Sequence, residues 1–268
     1  MSNDSSAIYL FCFARRHRLP VLEVAGLDHR HPVSLWPFKD IVAVLSGLSL
    51  EEFCGPEAES RMKDLSWLGP RASCHEKVVE QVMRHSPVFP ARFGTIFSSS
   101  EALQSFLHVH CGKISQFLDL VAETDEWSVK GLIDRAMARE SLLSALLSRE
   151  AGRLAALSQG KRYLHEQRIR SAAEKELNGF LKEVLQSTWK GLNSHACDSC
   201  ERDLLSLAAG EMEMVVNWAF LVQREKAKDF RIRIDRSNEE HARQGLLFQL
   251  SGPWPPYSFR PSLGVIEA

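Results

Sequence analysis

Three prolines within four residues, in the run Gly252-Pro253-Trp254-Pro255-Pro256-Tyr257-Ser258-Phe259, constrain this chain more than any other stretch of it. Each proline removes a backbone donor and holds φ near the polyproline value, while Gly252 can take conformations closed to other residues. The octet can therefore be neither a helix nor a central strand. Trp254, Tyr257 and Phe259 add a large apolar surface on a stiff backbone, which either packs across a strand end or offers a partner a pre-ordered surface. On residue chemistry the simpler reading is a rigid exit from a sheet that pins the C-terminal tail.

The chain ahead of the octet reads as two α+β layers. Ile8 to Phe13 is short, apolar and rich in aromatic and β-branched residues, as a buried strand is, and Ser34 to Lys39 and Ile41 to Leu45 read as two more. Helical patterns cover Glu59 to His85 and Ser99 to Val121; in the second, Leu103, Phe106, Leu107, His110, Ile114, Phe117, Leu118 and Val121 recur at three-and-four spacing. Between them Phe93 to Phe97 is expected as a strand entered through Pro90. The second half reads as a strand at Glu126 to Leu132, helix interrupted near Gly160 and continuing from Tyr163 to about Leu192, strands at Asp203 to Ala208 and Met212 to Gln223, a helix at Arg224 to His241 and a strand at Leu246 to Ser251. That order is the ferredoxin-like split βαβ pattern. The expected class is α+β in two domains: 1–123, an N-terminal α+β layer, and 124–268, a ferredoxin-like domain carrying the Pro/aromatic tail.

A chain of 268 residues, 44% hydrophobic and 25% charged, can bury a real core. The two halves balance at −2 and +1, so neither is a polyelectrolyte and a nucleic-acid partner held by phosphate neutralisation is not expected. No apolar run approaches the ~18 residues of a membrane span. Met1 to Ser6 is polar, with no basic region ahead of Ile8 to Phe13, so no signal peptide is read there and a cytosolic location is expected. Cys12, Cys54, Cys74, Cys111, Cys197 and Cys200 are then expected as thiols.

Phosphate-loop, dinucleotide-turn, zinc-helix and serine-elbow motifs are all absent, and no catalytic, cofactor-binding or metal-ligating residue is assigned. His195-Ala196-Cys197-Asp198-Ser199-Cys200 could chelate zinc, yet a fourth ligand is missing, and an exposed loop with two thiols is the default. Arg92, between rigid proline-bearing chain and Phe93, is expected to be partly buried and clamped to an acid such as Glu126 or to backbone carbonyls, with anion binding as the alternative. Glu126 and Lys130 share one side of their strand, with Trp127 facing the core. The basic run from Arg224 to Arg236 is interleaved with Glu225, Asp229 and Asp235, while Ala227, Phe230 and Ile234 mark a buried stripe; a solvated helix face with local ion pairs follows.

Several segments together resemble the gas vesicle protein F/L family (GvpF/GvpL). The octet is similar to the family's closing signature. Pro87-Val88-Phe89-Pro90-Ala91-Arg92-Phe93-Gly94-Thr95-Ile96-Phe97 is similar to its Pro-x-x-Pro-x-Arg-Phe-Gly-Thr segment, and Glu126-Trp127-Ser128-Val129-Lys130 to its Glu-Trp-x-Val-Lys strand. Trp67 to Ala72 with His75-Glu76, and Asn217 to Val222, also read like family positions. The likeness runs from Ile8 to Phe259. Trp218 departs where the family usually has a small residue, Ser128 stands for a glycine, and 133–200 match loosely. The resemblance implies an accessory or minor structural protein of gas vesicles, without enzymatic activity or cofactor. It would bind the small, apolar major shell protein and other assembly proteins, limit aggregation and support nucleation, at the vesicle and in the cytoplasm, with no membrane partner. Its signature residues, structural or partner-binding, are Arg92, Phe93, Gly94, Glu126, Trp127, Lys130, Gly252, Pro253, Trp254, Pro255, Pro256, Tyr257 and Phe259. The alternative is a ferredoxin-like small-ligand-binding protein or enzyme unrelated to vesicles.

Overall fold

A computed structural model describes residues 6–20, 24–49, 53, 58–204 and 212–264. The chain divides into two compact units: one runs to Glu126 and resumes at Pro253, and the other is Trp127–Gly252. The expected boundary at 123/124 assigns the tail to the second half, whereas its contacts join it to the first unit.

In the first unit, β1 (Ser6–Arg15), β2 (Val33–Phe38), β3 (Ile41–Ser49), β4 (Val88–Pro90) and β5 (Ile96–Phe97) form one sheet in the order β2-β3-β1-β4, with β5 also paired to β1. All the pairings are antiparallel. The β1–β3 register shifts between Leu10 and Cys12, a bulge that adds Phe11 to the strand. Tyr9, Phe11, Cys12 and Ala14 consequently join one buried cluster with Val78, Val79 and Val82. Leu10 and Phe13 instead line a cavity with residues from β4, β5 and the following helix.

The helical pattern at 59–85 is two helices, α1 (Ala58–Lys63) and α2 (Leu65–Met83), because Asp64 leaves helical geometry and its carboxylate caps the second by accepting from the Ser66 N–H. Helix α3 (Ser100–Leu120) is capped by Ser99 and buries Leu103, Leu107, His110, Ile114, Phe117 and Leu118, the stripe expected from its spacing. Phe93 to Phe97 is not one strand. Gly94 takes a φ of +84° between β4 and β5, and Thr95 folds back, donating its N–H (3.1 Å) and hydroxyl (2.7 Å) to the Arg92 carbonyl.

The second unit is built from β6 (Thr124–Ile133), α4 (Arg135–Arg149), α5 (Ala151–Ala155), α6 (Gln159–Asn193), β7 (Ala196–Glu201), β8 (Glu213–Gln223), α7 (Ala227–His241) and β9 (Leu246–Trp254). Its sheet order, β7-β8-β6-β9, with helices after the first and third strands, is the ferredoxin-like arrangement expected. Leu177, Leu181, Val184 and Leu192 of α6 share a buried cluster with Trp127 and Val129 of β6, Trp218, Phe220 and Val222 of β8, and Phe230 and Ile234 of α7. Trp218 is absorbed by edge contact with Trp189 at 5.2 Å and by stacking on Phe248 at 6.2 Å.

Two expectations change here. The Cys197/Cys200 segment is not a loop but strand β7, paired antiparallel with β8. Most of the strand expected at Asp203 to Ala208, namely 205–208, lies outside the described residues. β7 is a terminal strand with mostly exposed or half-buried positions, so it lacks the apolar alternation that marks a strand in sequence. The last strand, β9, runs on through Pro253, a substitution of donor for ring that a terminal strand tolerates on its unpaired side.

Candidate functional site

The signature segments of the first unit converge where the tail docks. Gly252 carries a φ of +133°, which a side chain would rarely adopt, and turns the chain at the end of β9. Pro255 and Pro256 are buried. A tight turn follows, with the Tyr257 N–H donating to the Pro255 carbonyl at 2.7 Å. Ser258 then donates twice to one carboxylate: its N–H to Glu126 Oε2 at 2.9 Å and its hydroxyl to Oε1 at 2.8 Å. Glu126 is 2% exposed, so these donors compensate for the hydration its charge gives up.

Beside this clasp lies a buried aromatic and histidine cluster. The Tyr9 hydroxyl is 2.8 Å from His75 Nδ1 and accepts the Gly94 N–H at 3.3 Å. Phe11 stacks on His75 at 5.7 Å, while Phe93 meets it edge-on at 5.9 Å and Tyr257 tilts against it at 6.5 Å. His75 and Glu76 of α2, Phe93 and Gly94 of the β4–β5 turn, and Tyr257 of the tail thus meet in one place.

The electrostatics of this cluster favour neutral groups. Burial pulls His75 down to about 4, with the Ala91 backbone opposing. Burial raises the Glu76 carboxyl; the Tyr257 hydroxyl works against that rise, and the charges of Glu80 and Glu126 add to it. Tyr257 is pushed far above its ordinary value by burial and then by Glu76. Its hydroxyl sits beside Glu76 without closing a hydrogen bond. Nothing in this arrangement supplies a poised nucleophile with its base; it is a dock for the tail.

Arg92 departs from expectation. It is exposed, and among the described residues its guanidinium has no carboxylate partner; Glu126 is engaged by Ser258 instead. Arg92 lines a cavity of about 660 Å³ together with Arg260. Burial, followed by the like charge of Arg92, lowers Arg260 from the ordinary arginine value, with Tyr257 opposing. The cavity's apolar lining includes Leu10, Phe13, Phe89, Ile96, Phe97 and Phe106. Sequence reasoning did not single out Arg260 or Tyr9. Arg260 directly follows the octet, and a tyrosine inside an otherwise apolar strand signals a hydroxyl that needs a buried partner.

The remaining signature residues serve the second unit or face outward. Trp127 is core, as expected, with the Arg231 guanidinium 4.6 Å above its ring. Arg231 is itself exposed, and the basic run lies on the outward side of α7 while Phe230 and Ile234 form its buried stripe, as expected. Lys130 is half-buried on β6. Trp254, expected to pack back onto the fold, is 36% exposed, and Pro253 is exposed beside it. Tyr257 and Phe259 are both half-buried, and Tyr257 is the one whose ring meets His75. Cys12, Cys74, Cys111 and Cys197 are free thiols, and Cys54 lies outside the described residues. Among the described residues no group of three or more His, Cys, Asp or Glu side chains is placed to hold a metal ion, and no helix is long and apolar enough to cross a membrane.

Comparison with known proteins agrees with this architecture. The chain is similar to the crystal structure of gas vesicle protein GvpF from Anabaena, with a TM-score of 0.70 and 20% identity over 96% of this chain and 99% of that one. The GvpF structure from Microcystis aeruginosa gives a TM-score of 0.66 at 19% identity, with the same coverage. These likenesses concern the fold. In sequence it is 24% identical to gas vesicle protein L of a Streptomyces species over 229 residues, 85% of this chain and 83% of the relative. It is 25% identical to gas vesicle protein L1 of Halobacterium salinarum over 206 residues, 71% of this chain and 70% of the relative. The family model for gas vesicle synthesis protein GvpL/GvpF matches residues 7–261, from the first strand to the residue after Arg260, and the chain belongs to that family.

Proposed function

We propose that this protein is a non-enzymatic assembly factor of the gas vesicle that binds the major shell protein, limits its aggregation and supports nucleation, working in the cytoplasm and at the vesicle. The observation that carries the reading is family membership across residues 7–261. The physics is coherent with it. A shell subunit destined to present a continuous water-repelling face exposes that face before assembly, and a large apolar patch self-associates unless a partner covers it. Each of the two α+β units has a sheet and helices from which such a surface can be built. Other vesicle assembly proteins are proposed as further partners.

The test is co-purification. The tagged full-length chain, expressed with the remaining genes of a vesicle cluster, is expected to retain the major shell protein above the level of an unrelated tagged control, and deletion of its gene is expected to reduce vesicle yield. Retention at the control level together with normal vesicles after deletion would overturn the proposal.

A further inference from the structure

The first unit contains a binding feature that its fold does not use. Arg92 and Arg260 line one cavity, the charge of Arg92 acts on Arg260, and among the described residues neither is ion-paired to a carboxylate. Two like charges lining one cavity make it a place where an anion is favoured. The rest of the lining is of another character. Phe13 and Phe89 form part of a wall with Phe97 and Phe106, the last stacked on Phe13 at 6.2 Å and edge-on to Phe97 at 5.3 Å. A volume of about 660 Å³ lies within the ordinary range for ligand sites. Thr95, Ser98 and Ser105 distribute hydroxyls along the lining.

We infer that this cleft binds a short apolar peptide segment carrying one carboxylate, an Asp or Glu side chain set in an apolar run, supplied by a vesicle partner protein. The carboxylate bridges Arg92 and Arg260, in the geometry guanidinium groups favour, and the flanking apolar side chains cover the phenylalanine wall. The hydroxyls argue for a peptide over a hydrocarbon chain: amides recurring along a backbone can pair with Ser98 and Ser105, whereas an acyl chain laid over them would displace their water without replacing it. Charge complementarity thus selects the anion, and the mixed wall selects the chain that bears it. The inference deepens the proposed shell-protein and assembly-protein binding and rests on that reading.

The test uses the full-length chain against short overlapping peptides tiled across the proteins of its own vesicle gene cluster, each acidic peptide paired with its Asn or Gln analogue. Wild type is expected to bind a subset of apolar peptides containing one acid. Binding should weaken at least about tenfold when the acid is replaced, the equivalent of losing one charge-assisted hydrogen bond. The variant Arg92→Gln with Arg260→Gln is expected to lose the same factor, and added salt to weaken wild type but not the variant. Ser105→Trp, which places a large ring at the cavity from an exposed helix position, should block binding without altering charge. Melting curves of each variant, unchanged from wild type, tie the losses to the cleft.

Three results would overturn the inference. One is equal retention of the whole shell protein and of every peptide by wild type and the arginine variant, which leaves the proposed function standing and removes the cleft from it. Another is binding of dodecanoate, displaced by neither class of peptide, which makes the site one for an anionic amphiphile. The third is retention of no vesicle protein or peptide by wild type at all, which removes the broader reading along with this one.

Discussion

Glu126→Ala should release the tail, and the size of the effect follows from the local geometry. The carboxylate is 2% exposed and accepts two hydrogen bonds from Ser258, across a sequence separation of 132 residues. Hydrogen bonds to a charged group contribute about 1.5–3 kcal/mol each. Ser258 is half-buried, so both of its donors can recruit water once the carboxylate is gone, which argues for the lower figure twice over. Loss of a buried methylene adds about 0.8 kcal/mol. Relief of repulsion between Glu126 and Glu76 returns part of this. The net cost is about 3 kcal/mol, or a drop of about 10 °C in the melting temperature for a unit of this size. Glu126→Gln should fall between, since its amide keeps one acceptor but turns a donor toward the other Ser258 group. Ser258→Ala should cost about 1.5 kcal/mol. In a double-mutant cycle read by calorimetry, Glu126→Ala and Ser258→Ala should couple by about 1 kcal/mol or more. Melting within about 2 °C of wild type for Glu126→Ala, or strict additivity in the cycle, would refute the clasp.

Further outcomes follow from the same cluster. His75 stays neutral in the folded protein down to about 4, whereas its ordinary value is 6.5, so between those values the unfolded chain binds a proton that the native state refuses. Its contribution is complete above pH 6.5 and declines by about 3 kcal/mol as pH falls to 4; urea midpoints measured across that range should show the decline in wild type and a flatter limb in His75→Gln. Glu76 has the opposite sign: its raised value means that stability is lost as pH climbs through it, so Glu76→Gln should melt higher than wild type at neutral pH and no higher in acid. Trp254→Ala should cost about 1 kcal/mol or less because the ring is already 36% exposed, against about 2 kcal/mol for the half-buried Tyr257→Ala, and thermal melts of the two variants give the order directly. Arg92→Ala should leave the melting temperature unchanged, because the side chain is exposed and holds no ion pair among the described residues; a loss comparable to that of a buried pair would restore the internal clamp.

What could be read from sequence was whatever repeats locally. Helix α3 was legible because Leu103, Leu107, Ile114 and Leu118 recur at the period of one buried face. The ferredoxin-like order was legible because β8 and α6 carry strong and different periods. Strand β7 was hidden, since a terminal strand made of Cys, Asp, Ser and Glu has no apolar face to announce it. The bulge at Phe11 was equally hidden: a strand that is apolar throughout gives no sign of which residue is extra. For Arg92, the proline-bearing chain before it established that the residue is held but not the direction in which its side chain points. The Glu126–Ser258 clasp joins residues that no local pattern relates, and it turned the expected acid partner of Arg92 into the anchor of the tail.

The return of the chain at Pro253 has a consequence for how the protein is made. The second unit, Trp127–Gly252, is an uninterrupted stretch, whereas the first is completed only by residues that follow it. On the ribosome, the sheet of β1 to β5 is fully synthesised long before Pro255, Pro256, Tyr257 and Ser258 emerge. During that interval the Glu126 carboxylate has no Ser258 to meet, and the aromatic cluster around His75 lacks Tyr257. The inserted unit therefore has time to fold while its predecessor waits unfinished. A chain truncated anywhere before Ser258 would lack the two donors that this residue brings to the buried Glu126 carboxylate, and its first unit would open more readily.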